Sequence, residues 1–230
     1  MSEIIDNNVK SVRSRIATAA RESGRSEKDI LLVAVSKMQP LEKIYLAHKA
    51  GIEHFGENKV QELIKKISES EIMLQWHMVG HLQSNKINKV VGKVEMIESV
   101  DSIQLLEKLD KAGQSREMCT KVLLQVNTSH EETKFGFSLD AVLDACERAE
   151  ILSHVEIQGL MTIGPLTDEV TKVIKSFRNL RKLADKIEST GSTKIRMKYI
   201  SMGMTGDFEI AIKEGSNLVR IGTAIFGPRM

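Results

Sequence analysis

Eight short runs rich in valine, isoleucine and leucine punctuate this chain, with amphipathic stretches between them. The runs are LLVAV (31–35), EHFG (53–56), QWHMVG (75–80), VEMIESV (94–100), KVLLQVN (121–127), VEIQGLM (155–161), MKYIS (197–201) and NLVRIG (217–222). LLVAV is apolar throughout, the pattern of a strand covered on both faces, as in parallel sheets. Strand, helix and strand repeated at intervals of about 20 to 40 residues imply parallel pairing through right-handed crossovers. Eight such units predict an α/β fold, a single-domain (β/α)8 TIM barrel spanning 1–230. With 230 residues, the chain falls near the compact end of the range of about 200 to over 400 that such barrels occupy. An open doubly wound sheet is the competing architecture. It usually carries a G-x-G-x-x-G or G-x-x-x-x-G-K-[ST] turn, and neither occurs here.

An extra helix precedes the first strand. Ile5, Val9, Val12, Ile16 and Ala19 recur at helical spacing, which predicts a helix over 3–22 ending near Gly24. A second apolar stripe, from Val170 through Phe177 and Leu180 to Ile187, predicts a helix between the sixth and seventh strands.

Composition narrows the function classes. Lys plus Arg number 33 and Asp plus Glu 31, a net charge of +2, so nothing draws the chain toward nucleic acid or an anionic membrane. No apolar run approaches the roughly 20 residues of a membrane span, and the N-terminus lacks the apolar core of a secretory signal. Cys119 and Cys146 have no partner at metal-ligand spacing and are expected as core thiols in a reducing, cytoplasmic setting.

In a barrel, residues at the carboxyl ends of the strands converge on one mouth, where the chemistry of this fold takes place. Those positions hold Lys37, Glu57 and Asn58, His81 and Gln83, Asn127, Met161 and Thr162, Ser201, and Gly222 and Thr223. SMGMTGD (201–207) and RIGTAIFG (220–227) follow the seventh and eighth strands with small residues, and those two loops are the frequent phosphate site of a TIM barrel. Small residues let backbone N–H groups close on an anion. An amine at Lys37 opposite a phosphate cradle suits a phosphorylated carbonyl compound held as a Schiff base, and pyridoxal 5′-phosphate (PLP) meets both demands.

Six blocks carry a resemblance across nearly the whole chain: AVSK (34–37), HFGENKVQE (54–62), WHMVGHLQSNK (76–86), GLMTI (159–163), SMGMTGD and VRIGTAIFG. Together the sequence resembles the PLP homeostasis protein family, also called proline synthetase co-transcribed homologues. The resemblance implies a barrel similar to the amino-terminal domain of alanine racemase. It implies that Lys37 is the Schiff-base lysine and that Asn58 lies near the cofactor ring. It further implies that Ser201 and the backbone around Gly203 hold phosphate with Gly222 and Thr223, and that Arg220 faces the pyridine nitrogen.

A guanidinium beside the pyridine nitrogen keeps that nitrogen unprotonated and the ring a weak electron sink. The expectation is therefore a carrier of PLP, monomeric, with transient contacts to PLP-dependent apoenzymes and no dedicated reaction. The alternative is a PLP-dependent amino acid racemase, which needs an acid or base on each face of the ring, commonly Lys and Tyr. Only Tyr45 and Tyr199 exist, and neither is expected to oppose Lys37. The chain stops at FGPRM, without the further domain that supplies this tyrosine in racemases of similar barrel. A third alternative is a scaffold that binds no ligand. His77 and His81, four apart, are read as a structural residue within a strand and a mouth-lining residue beyond it, not as a metal pair.

Overall fold

The computed structural model describes residues 2–129, 131, 134–192 and 194–228. Helix α1 (Ser2–Glu22) comes first. The barrel strands then alternate with helices: β1 (Leu31–Val35), α2 (Leu41–Lys49), β2 (His54–Glu57), α3 (Val60–Glu69), β3 (Gln75–Met78), α4 (Ile87–Val90), β4 (Met96–Val100), α5 (Ile103–Gln114) and β5 (Thr120–Gln125). The second half continues with α6 (Ala141–Ala149), β6 (Val155–Met161), α7 (Val170–Glu188), β7 (Tyr199–Ser201), α8 (Phe208–Lys213), β8 (Leu218–Ile221) and α9 (Thr223–Phe226).

The strands close into a barrel in chain order, β1 pairing both with β2 and with β8. Every pair is parallel, and the α/β barrel expected from the alternation is the fold observed. LLVAV and VEIQGLM are strands with the expected bounds. β3, β4, β7 and β8 are shorter than expected, β2 is shifted on by one residue to Glu57, and β5 starts one residue early at Thr120 and ends at Gln125, because ladder bonding ends where the chain peels into loops. Val126, for example, leaves β5 for an isolated bridge with Phe137. Strands β6 and β7 approach so closely at Gly159 that a Cβ there would stand 1.8 Å from the Tyr199 carbonyl oxygen. Its φ of 152° is also one that side-chain-bearing residues rarely adopt.

Side-chain alternation splits each strand between two cores. Leu32, Ala34, Phe55, Trp76, Val122, Leu160 and Val219 face outward into the layer between strands and helices. Val33, Met96, Leu123, Met161 and Leu218 fill the barrel interior with Leu31 and Tyr199. Helix α1 buries Ile5, Val9, Val12, Ile16 and Ala19, the expected stripe, against α2, α8 and α9. Each of the isoleucines and valines contributes about 1.5 to 3 kcal/mol when taken from water. In α7 the stripe begins at Val173, and Val170 is 52% exposed at the helix start.

The cysteines differ from expectation. Cys146 is buried in α6, but Cys119 is exposed, since it precedes β5 in the turn that enters the barrel rather than in the strand. Among the described residues no helix is long and apolar enough to cross a membrane.

Candidate functional site

The same alternation shapes the mouth. Val35 points into the barrel, Ser36 away from it, and Lys37 again inward, so the lysine lines a cavity of about 190 Å³ between the ends of β1 and β8 and the loop after β7. Val35 and Phe226 give the cavity apolar walls, and Arg220 gives it a buried cation. Gly222 and Thr223 enter from the start of α9, and Thr205 and Gly206 from the SMGMTGD loop. Lys37, Arg220, Gly222 and Thr223, separated by up to 186 positions in sequence (223 minus 37), thus meet at one site.

Gly222 leaves the cavity open at a tight approach: a Cβ there would stand 3.1 Å from the Val35 carbonyl oxygen. The loop after β7 is closed by Asp207, whose Oδ1 accepts from Met204 N at 2.6 Å. It is tied to β8 by Arg220 N, which donates to the Gly203 carbonyl at 3.0 Å. Gly203 turns with a φ of 97°, and a Cβ on it would press to 2.6 Å from the Ala211 Cβ. Gly203 therefore shapes the loop without lining the cavity.

Ser201 is also outside the cavity wall. It is fully buried, and its hydroxyl donates to Glu98 Oε2 at 2.7 Å while accepting from Arg220 Nη1. Arg220 Nη2 donates to the Thr162 carbonyl at 2.8 Å, and Nη1 lies 3.9 Å from Glu98 Oε2. Burial pulls Arg220 below the usual arginine value, and the charges of Glu98 and Asp207 oppose that shift. Burial would raise the Glu98 carboxyl, but the His77 ring, Arg220 and the Ser201 hydroxyl outweigh it and hold Glu98 below the ordinary glutamate value. The guanidinium is thereby fixed in place and charged.

This network continues downward. His77 Nδ1 meets Glu98 Oε1 at 2.8 Å, and its Nε2 meets His54 Nδ1 at 3.0 Å, so His77 is the structural histidine expected. His81 does not reach the cavity: its ring pairs with Asp101 at 2.7 Å and stacks on Phe135. The two histidines serve different places. Among the described residues no group of three or more His, Cys, Asp or Glu is placed to hold a metal. Asn58 is half-buried at the end of β2, with its backbone against Gly80, and it too lies off the cavity wall. Strand-end reasoning passed over Gln39 and Phe226, which stand on the wall beyond the strand ends, and over Glu98, which meets Ser201 and Arg220 only in the folded chain.

The closed barrel thus brings Lys37, just beyond β1, beside Gly222 and Thr223, just beyond β8. The family described as "Alanine racemase, N-terminal domain" matches residues 5–230. The pyridoxal phosphate homeostasis protein of Aquifex aeolicus is 37% identical, over 95% of this chain and 95% of its own length. That of Haemophilus influenzae is 36% identical, over 98% of this chain and 96% of its own. The chain belongs to the pyridoxal phosphate homeostasis protein family.

Solved structures agree. PipY of Synechococcus elongatus with PLP bound has a TM-score of 0.85 at 33% identity, covering 97% of this chain and 100% of that chain. Alanine racemase of Clostridium difficile reaches a TM-score of 0.77 at 17% identity, with this chain covering 59% of it, a likeness of fold alone.

Proposed function

We propose that this protein binds PLP as a Schiff base on Lys37 and acts in intracellular PLP homeostasis, holding the cofactor reversibly and delivering it to PLP-dependent apoenzymes through transient contacts. The observation that carries this reading is the convergence of Lys37, Arg220, Gly222 and Thr223 on one cavity. With PLP in this cavity, Lys37 would supply the amine that condenses with its aldehyde, releasing water. Gly222 and Thr223, joined by Thr205 and Gly206, offer the phosphate side, and Arg220 offers a fixed cation to the ring nitrogen. Ser201 and Gly203 serve this site by holding Arg220 and the loop, and Asn58 closes the adjoining strand end. The functional unit is the barrel over 1–230, monomeric and cytoplasmic.

When bound, PLP supplies an electron sink, and a cation facing its ring nitrogen weakens that sink. The positions of the tyrosines support the carrier over the racemase. Tyr199 lies in the apolar interior with Val33 and Met96. The Tyr45 hydroxyl accepts from Glu71 N at 3.0 Å, on the outer helical layer. Neither lines the cavity beside Lys37.

The test is an intact-mass measurement of protein incubated with PLP, before and after borohydride. One reduced pyridoxyl adduct on the Lys37 peptide, absent in Lys37→Ala, together with negligible racemisation of common amino acids, is the expected result. An adduct elsewhere, or none, overturns the assignment of Lys37, and sustained racemisation overturns the carrier.

A further inference from the structure

Lys37 sits in a turn of unusual construction. Gln39 N donates to the Ser36 carbonyl at 3.0 Å, which places Lys37 and Met38 at the two central positions. Met38 has a φ of 62°, in the left-handed region where a turn of this kind ordinarily takes glycine. Its side chain is 68% exposed, so packing does not enforce the conformation.

What grips the turn is a cluster of charges behind it. Lys66, on the barrel-facing side of α3, is 6% exposed. Its ammonium donates to Glu57 Oε1 at 2.7 Å, to Glu62 Oε1 at 2.7 Å and to the Ser36 carbonyl at 2.8 Å, using all three hydrogens. Glu57 Oε1 also accepts from the Ser36 hydroxyl at 2.6 Å, and Glu62 Oε1 from Met38 N at 2.6 Å. The residues on both sides of Lys37 are therefore anchored to β2 and α3 by side chains.

A buried ion pair is a weak source of net stability, because desolvation offsets attraction and an aliphatic side chain fills the same volume at lower cost. Here Glu57 Oε2 is moreover buried without a hydrogen-bond partner, a further burden on the fold. What the charges supply is direction. With Ser36 pinned on the outer side and Met38 held in its strained conformation, Lys37 is turned into the mouth. Strain of this sort persists where surrounding groups over-determine it, commonly at functional sites.

We propose that Glu57, Glu62 and Lys66 are positioning residues for Lys37, holding the strained turn so that covalent capture of PLP depends on three side chains that do not line the cavity. The proposal rests on the reading of Lys37 as the Schiff-base lysine. Glu62 stands in the first turn of α3 with its side chain 23% exposed, which makes it the member to remove.

The experiment follows the rise of visible absorbance after PLP is added to PLP-free protein, with borohydride trapping to confirm attachment at Lys37. Glu62→Ala is expected to slow capture about tenfold, since small misplacements of a reacting group carry losses of this order, while leaving the thermal midpoint of the PLP-free protein nearly unchanged. Adding Met38→Gly to that variant is expected to restore much of the rate, because glycine adopts the positive φ unaided. Ser36→Ala, which deletes one hydrogen bond and no charge, is the second variant and is expected to slow capture about fivefold. Capture by both single variants within about twofold of the natural protein, a range that the loss of one hydrogen bond would exceed, overturns the proposal. No borohydride-stable adduct on Lys37 in the natural protein overturns instead the reading beneath it.

Discussion

Ser201 on β7 donates its hydroxyl to Glu98 Oε2 on β4 at 2.7 Å across the interior of the barrel, and Arg220 on β8 donates to that same hydroxyl. The cation at the mouth is thus supported from below by a carboxylate 122 residues earlier in the chain (220 minus 98). Glu98→Gln leaves Arg220 buried without its counter-charge, and the expected loss is about 3 kcal/mol of stability, the scale for breaking a buried pair. Urea denaturation of the PLP-free protein measures it. Because the folded Glu98 is held below its ordinary value of 4.5, its contribution is present above that value and is lost as pH falls through it toward the folded value. The stability gap between natural protein and Glu98→Gln should therefore narrow on the acid side of that value, and a gap that widens there would contradict the assignment.

Gly222→Val should separate binding from folding. The added side chain starts 3.1 Å from the Val35 carbonyl oxygen and projects into the cavity. PLP uptake, read from absorbance, is expected to fall by about a hundredfold, the order of effect of a misplacement of about 1 Å in a bound reactant. The circular dichroism spectrum should stay that of the natural protein.

Gly159→Ala tests the strand contact. A Cβ at 1.8 Å from the Tyr199 carbonyl oxygen cannot be accommodated without moving β7. The variant is expected to lose on the order of 4 kcal/mol, in the range reserved for strain at a special backbone position. Urea denaturation near the natural midpoint would show that β6 and β7 are more loosely joined than this geometry requires.

The cysteines should react in sequence. Burial, with Glu150 and Glu147 nearby, pushes the Cys146 thiol up to about 12, so almost no thiolate forms at neutral pH. Cys119 is exposed. Alkylation of the folded protein, followed by mass spectrometry, should place one label on Cys119, with Cys146 labelled only after denaturant is added.

Much of the fold was legible because it depends on local patterns. LLVAV and VEIQGLM read as strands and appear with those bounds, and the Ile5 to Ala19 stripe buries as read. The convergence of Lys37 with Arg220, Gly222 and Thr223 was legible too, since a parallel barrel brings every strand end to one rim. Ser201 and Gly203 were legible as members of the same block, but their contacts with Glu98 and Arg220 were not. Whether a hydroxyl faces a cavity or a buried guanidinium depends on side chains from other strands. Lys66 reads in sequence as one more polar residue of an amphipathic helix, and nothing local marks it as buried against Glu57 and the Ser36 carbonyl.

The sequence by itself determined the alternation of strand and helix, the periodicity that assigns each side chain to the inner or outer face, and the chemical types available at the rim. Tertiary structure alone decided the distances at which those groups meet and which buried partners stand behind them. Closing the sheet set β8 beside β1, which placed Arg220 and Gly222 by Lys37, and it enclosed Glu98 with Ser201 and Glu57 with Lys66. The physical reason is range: hydrophobic period and turn chemistry act over a few residues, whereas burial of a charge is tolerable only where the packed chain delivers its partner.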